Sequence, residues 1–224
     1  MRYYAHYGHR DFVLCLGYGA QQIKDFFLRY DEAASNDFVL EGGEVRLFDS
    51  DIADWRITFV DTGQDSAIGE RLRRVRSHVE NEEMFFANYA DVLTDAPIDA
   101  MVDQFHADPT AVAQLMAVPP QAAFHVVDLV EGNRVESITA LKDMAIQENG
   151  GYLILRPEIF DYIPEDGDLV GDACAALAKE GRLAAYSYSG FWHPADTVKE
   201  RVALEALYRA GSTPWMPWRT VVTH

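Results

Sequence analysis

The chain has 224 residues, 49% of them hydrophobic, enough for one large domain or two small ones around a full core. Its 36 acidic residues outnumber 19 basic ones, for a formal net charge of −17. Such a surface repels nucleic-acid backbones and anionic membranes, so neither is expected as a partner.

Residues 1–8 (MRYYAHYG) read as the last turns of a helix closed by Gly8, too short and too polar for a signal peptide. No apolar stretch approaches the roughly 20 residues that span a bilayer, so a cytoplasmic location is expected. Residues 11–16 (DFVLCL) read as a buried strand ended by Gly17, and 21–30 carry the apolar spacing of a helix. Phe38–Leu40 and Val45–Phe48 flank Glu41-Gly42-Gly43-Glu44 as a hairpin. A strand over 56–60, a loop over 61–68 and a basic amphipathic helix over 69–79 follow. Met84–Asn88 is a strand taken to deliver Asp91, and 97–106 is a helix with Pro97 in its first turn. Beyond Val112 the pattern predicts strands over 112–118, 124–129, 134–140, 151–155 and 183–188. Helices are predicted over 168–179 and 197–210. An aromatic tail, Pro214 to Trp218, is expected to pack back. The expected architecture is a single α/β domain whose later half adds a mixed sheet, with halves over 1–110 and 111–224.

Two aspartates carry the strongest chemical signal. Asp91 ends an apolar run, and Asp196 stands just before a helical pattern. Acids at the carboxyl ends of strands lie where open α/β sheets bind ligands, and two from distant segments can clamp one Mg²⁺ on a phosphate substrate. Each also has a plain structural reading, Asp91 as a turn residue and Asp196 with Thr197 as a helix cap. The loop Asp61 to Ile68 runs into a helix at Gly69. Its glycine and its first-turn Arg71 suit a phosphate or a base, and Ser66 or Asp65 equally suits a helix cap. Arg71, Arg73, Arg74 and Arg76 form the only dense basic cluster, the place where a small anion could be held. Gly150 and Gly151 permit either close approach by a ligand or a bulge. The seven histidines (6, 9, 78, 106, 125, 193 and 224) show no i, i+4 pairing, so no zinc site is expected. Cys15 and Cys174 are expected as two buried thiols.

These segments, in this order, resemble the glucose-1-phosphate cytidylyltransferase family of sugar nucleotidyltransferases. The likeness is carried by 11–18 (DFVLCLGY), 23–27 (IKDFF), 55–63 (WRITFVDTG) and 69–75 (GERLRRV). Tyr89-Ala90-Asp91, Asn149-Gly150-Gly151-Tyr152, Phe191-Trp192, Asp196-Thr197, Ala210-Gly211 and Pro214-Trp215 continue it. The resemblance implies a Rossmann-like GT-A nucleotidyltransferase sheet. It implies transfer of a nucleotidyl group from CTP, or another nucleoside triphosphate, to a sugar 1-phosphate with release of pyrophosphate. It implies Asp91 and Asp196 as Mg²⁺ ligands, with Ser66, Gly69, Arg71 and Ala90 on the nucleotide and Asn149, Gly150 and Gly151 on the sugar. Arg71 joins the two acids in the catalytic set. A homo-oligomer is a further expectation of the family.

Departures from the family pattern set a second expectation. The sequence contains no Gly-Gly-x-Gly-Thr-Arg-Leu loop and no Pro-Lys-Pro segment, so the first strand and the phosphate loop, about 35–40 residues, are expected to be missing relative to the family, through a mis-assigned start or a real loss. Ala90 stands where the family usually has glycine. Residues 138–143 (ITALKD) replace a Glu-Lys-Pro stretch, and 172–174 (DAC) replace Glu-Pro. Weak or absent catalysis by this chain alone is therefore expected. The alternatives are a non-catalytic module that binds sugar nucleotides and a GT-A glycosyltransferase, which should carry an Asp-x-Asp that Asp91-Val92-Leu93 does not supply.

Overall fold

A computed structural model describes residues 1–121 and 124–219, and the chain divides into two units. Unit one comprises Met1–Glu83 and Pro157–Ala176; unit two comprises Met84–Arg156 and the chain from Leu177 onward. His224 lies outside the described residues.

Unit one opens with α1 (Arg2–His6), where Tyr3 meets Tyr4 and Tyr7 edge to face at 5.5 Å each. Tyr3 and Tyr4 are buried, so the tyrosine stripe is a packing face. β1 (Asp11–Leu16) leads through Gly19 into α2 (Ala20–Leu28) and the short α3 (Glu32–Ser35). β2 (Phe38–Glu41) and β3 (Glu44–Leu47) form the predicted hairpin. β4 (Arg56–Asp61) pairs with β1 in parallel, from Asp11↔Arg56 to Leu16↔Asp61. α4 (Ile68–Arg74) ends sooner than its sequence suggests; Arg76–His78 continues it as a tighter turn.

Two expectations change here. The β1 segment reads as a buried strand, yet only Leu16 is buried, because β1 is paired along one edge alone among the described residues and α2 has no buried residue. For the same reason Cys15 is exposed, and only Cys174 is a buried thiol; both are free. The helix predicted from Asp168 starts with a wide π-helical turn, Leu169–Cys174, whose N–H groups at Val170 and Gly171 donate to the Asp168 carboxylate at 2.9 and 2.6 Å.

Unit two runs β5 (Phe85–Asn88), β6 (Val92–Thr94), α5 (Ile98–Ala107), β7 (Ala113–Val118), β8 (His125–Val130), β9 (Arg134–Ala140) and β10 (Glu148–Leu155). After α6 (Ala175–Lys179) come β11 (Leu183–Ser187), β12 (Trp192–Pro194) and α7 (Val198–Arg209). Its main sheet has the order β11-β7-β10-β5, with β11 parallel to β7 and β10 antiparallel to both neighbours. The run 112–118 is apolar and almost continuously buried, as a central strand requires. The one polar side chain inside it, Gln114, is satisfied: its amide donates to the Met101 carbonyl at 2.8 Å and accepts from Gln104 at 3.1 Å. α5 buries Ile98, Met101 and Phe105, and the Arg156 guanidinium lies 4.3 Å from the centre of the Phe105 ring. Trp215 of the aromatic tail is buried and stacks on Phe191 at 5.3 Å, as expected. Among the described residues no helix is long and apolar enough to cross a membrane.

Phe105 is fully buried. Phe105→Ala is expected to cost about 3–5 kcal/mol of stability, read as a lower urea midpoint with an unchanged slope.

Candidate active site

Asp91 and Asp196 flank a short antiparallel ribbon that the sequence did not announce. β5 ends at Asn88, so Asp91 falls in the turn before β6 and is not the end of the predicted strand. β6 pairs with β12 as Val92↔Pro194, Leu93↔His193 and Thr94↔Trp192. One step further, the Ala195 N–H donates to the Asp91 carbonyl at 2.7 Å. Antiparallel register therefore sets the residue after Ala195 beside Asp91.

The two carboxyl groups are close enough to share a hydrogen bond. The Asp196 carboxyl is held above the usual carboxylate range, first by desolvation and then by the charge and hydrogen bond of Asp91, with Glu200 adding to it. Both side chains are exposed. Asp196 is not the cap of the last helix. Thr197 is: the Glu200 N–H donates to its hydroxyl at 3.2 Å, and the Thr197 N–H donates to the Glu200 carboxylate at 2.8 Å. That reciprocal cap leaves Asp196 without a structural duty at the helix start. Asp95 likewise caps no helix; it accepts from the Tyr188 hydroxyl and from the Phe191 N–H at 2.8 Å, fixing the loop into β12.

The Asn149–Gly151 segment sits in a bulge, where the β10–β7 register shifts between Asn149 and Leu153. Both glycines are buried, and both are demanded by the chain's own packing. A Cβ on Gly150 would lie 2.9 Å from Met116 Cε, and one on Gly151, at φ +74, would lie 2.9 Å from the Tyr89 ring. Asn149 is half-buried; its side-chain oxygen accepts from the Gly151 N–H at 3.0 Å, and its nitrogen donates to the Tyr89 hydroxyl at 3.3 Å. Two residues escaped the sequence reading. The Trp192 indole N–H donates to the Gly150 carbonyl at 2.7 Å, and the Tyr152 hydroxyl donates to the Val92 carbonyl at 3.0 Å. Nothing in their sequence context announces these partners.

In unit one the loop over 61–68 is tied down by arginines. Arg71 donates to Thr62 Oγ1 at 3.0 Å, to the Gln64 carbonyl at 2.9 Å and to the Leu16 carbonyl at 3.4 Å. Arg74 donates to the Thr62 carbonyl at 3.0 Å and pairs with Glu70 at 2.9 Å. Arg73 donates to the Ile163 carbonyl at 3.2 Å, and Arg76 pairs with Glu80 at 2.8 Å. Each of the four guanidinium groups thus has an internal partner. Ser66 is half-buried and does not cap α4, whose cap position is Ala67 without a side-chain bond. Gly69 is buried, and a Cβ there would run into the Gly167 carbonyl and lie 2.9 Å from Ile163. Its absence of a side chain serves helix-to-loop packing. Ala90 is exposed, next to Asp91.

Known proteins of similar fold include HddC from Yersinia pseudotuberculosis, with a TM-score of 0.60 and 15% identity over 91% of this chain and 80% of that one. Apo UDP-glucose pyrophosphorylase gives a TM-score of 0.62 and 14% identity over 94% and 86%. The chain therefore shares the Rossmann-like α/β fold of these proteins. In sequence, the chain is 33% identical over 220 residues to the glucose-1-phosphate cytidylyltransferase of Salmonella typhi, covering 97% of this chain and 85% of the relative. It is 30% identical over 223 residues to the probable glucose-1-phosphate cytidylyltransferase of Bacillus subtilis (strain 168), with the same coverage. No protein-family model matches the chain. At this level of identity and coverage, the chain belongs to the glucose-1-phosphate cytidylyltransferase family.

Gly69→Ala is expected to destabilise by about 1–3 kcal/mol, since the new methyl group meets backbone that has no room to move; chemical denaturation measures it. A second expectation concerns pH. Asp196 has a folded-state pKa above its unfolded value, so its ionisation opposes folding as pH rises and costs nothing below the ordinary carboxylate pKa of 3.8. In buffer containing EDTA, Asp196→Asn is expected to raise the melting temperature at pH 7 by about 1–3 °C. That gain disappears as pH falls through the carboxylate range. An equal gain at every pH would contradict it.

Proposed function

We propose that this chain is a sugar-1-phosphate nucleotidyltransferase, converting CTP and glucose 1-phosphate into CDP-glucose and pyrophosphate with Mg²⁺ held by Asp91 and Asp196. The observation that carries the reading is the carboxylate pair set side by side by the β6–β12 ribbon, in a chain 33% identical to a glucose-1-phosphate cytidylyltransferase. The donor set suits a small hard cation. Two exposed carboxylates supply hard oxygen ligands. Among the described residues no group of three or more His, Cys, Asp or Glu side chains could hold a metal. Two protein ligands leave coordination positions for water and phosphate oxygens, as Mg²⁺ prefers.

Bound there, Mg²⁺ would neutralise charge on the phosphoryl oxygens and the leaving pyrophosphate. The chain's own residues place the reactants. Asp91 and Asp196 offer adjoining negative charge that only a cation relieves. The loop bearing Ser66, held in shape by Arg71 and ending at Gly69, would contact the nucleotide in unit one, and Ala90 would do so in unit two. Asn149 keeps one N–H and one oxygen lone pair beyond the bonds given above, which suits a sugar hydroxyl, on a turn shaped by Gly150 and Gly151. In the reaction a sugar-phosphate oxygen attacks the α-phosphorus in line, and the bond to pyrophosphate breaks. That oxygen is already ionised, so no general base is required. A cytoplasmic location is proposed with this reading.

Calorimetric titration with CDP-glucose, in Mg²⁺ and in EDTA, tests the reading, with pyrophosphate release from CTP and glucose 1-phosphate alongside. Binding should depend on Mg²⁺ and fall by about 10-fold or more in Asp91→Asn and in Asp196→Asn. An affinity indifferent to EDTA and to both substitutions rejects the metal pair. Equal acceptance of UDP- or dTDP-glucose rejects the choice of base.

A further inference from the structure

We infer that Trp192 is a positioning residue for the sugar phosphate: its indole N–H fixes the Gly150 peptide, and through it Asn149, with respect to the acidic pair. The inference rests on the reading of Asn149 as a sugar contact. Three observations lead to it. First, the bulge in β10 takes Gly150 and Gly151 out of the ladder with β7, so their carbonyl groups need donors from elsewhere. Second, the donors come from the two segments that carry the acids. The Gly150 carbonyl accepts from Trp192 Nε1 at 2.7 Å, four residues before Asp196, and the Gly151 carbonyl accepts from the Tyr89 N–H at 2.9 Å, two residues before Asp91. Third, the Asn149 amide is oriented by that turn, since its oxygen accepts from the Gly151 N–H at 3.0 Å.

Trp192 is only 9% exposed, and its backbone pairs with Thr94 in the ribbon. Ring and backbone therefore have one well-defined place, and the N–H is a fixed strut between ribbon and bulge. A buried carbonyl that loses its donor has no water to replace it, so the peptide must turn to find another partner. Rotation of the Gly150 peptide displaces Asn149 while leaving the ribbon register and the Asp91–Asp196 contact in place. Such a shift weakens recognition of the sugar phosphate and spares that of the metal-bound nucleotide.

The experiment compares separate calorimetric titrations of glucose 1-phosphate and of Mg²⁺-CTP for wild type and Trp192→Phe. A second variant replaces Trp192 by benzothienylalanine, which keeps the ring volume and removes only the donor, so folding is preserved. Tyr152→Phe is the control, because it deletes a second buried tie between β10 and the ribbon, to Val92, and leaves the Gly150 carbonyl and its indole donor in place. Expected is a Kd for glucose 1-phosphate raised about 10-fold in both Trp192 variants, with that for Mg²⁺-CTP within about twofold. Tyr152→Phe should lower the melting temperature and leave the ratio of the two constants unchanged. If both constants move together, or if neither moves in the isosteric variant, the positioning role is overturned. If wild type itself binds neither ligand, the functional reading fails first, and the two failures are thereby distinguished.

Discussion

The candidate site depends on a contact that electrostatics opposes. Asp91 and Asp196 repel one another when both are ionised, and desolvation first, with that opposition added, raises the affinity of Asp196 for its proton. What holds them together is backbone: the three residue pairs of the β6–β12 ribbon, extended by the Ala195 to Asp91 hydrogen bond. Neutral hydrogen bonds do not weaken as the acids ionise, so the ribbon supplies a fixed frame and the acids are left with unspent negative charge. The frame is itself anchored. Asp95 holds the loop entering β12, and the Thr197–Glu200 cap starts α7 immediately after Asp196.

Around that frame, residue types that suggest ligand contact turn out to serve packing first. Gly69, Gly150 and Gly151 lack side chains because a Cβ at each would strike the chain itself. The arginines of α4 point their donors at loop carbonyls and at neighbouring glutamates. A glycine is required wherever a backbone approaches closely, whether the neighbour is a ligand or another segment, so composition alone does not separate the two cases. Arginine behaves similarly: its five donors satisfy carbonyl groups of a tight loop as readily as a phosphate. Structural duty does not bar ligand contact in either case, since a loop held this firmly keeps one shape.

Most elements were legible because their signals are local. Strands with four or more apolar or β-branched residues, such as 113–118, and helices with turn residues at their ends emerged within one to three residues of their positions. The short pieces were not. β6 and β12 have three residues each, and β12 includes Pro194, so neither shows the alternation that marks a strand. Burial was misjudged where it depends on neighbours in space: residues 11–16 look like a central strand but are paired along one edge, which leaves Cys15 exposed.

By itself, the sequence determined the α/β class, the family likeness and the identity of the two acids, because these rest on residue order and local periodicity. Tertiary structure alone decided that the acids adjoin, that Thr197 relieves Asp196 of capping, and that Trp192 reaches Gly150. Those facts depend on which distant segments share a hydrogen-bond ladder. Ladder register is set by the whole sheet and its packing, and no window of sequence contains it.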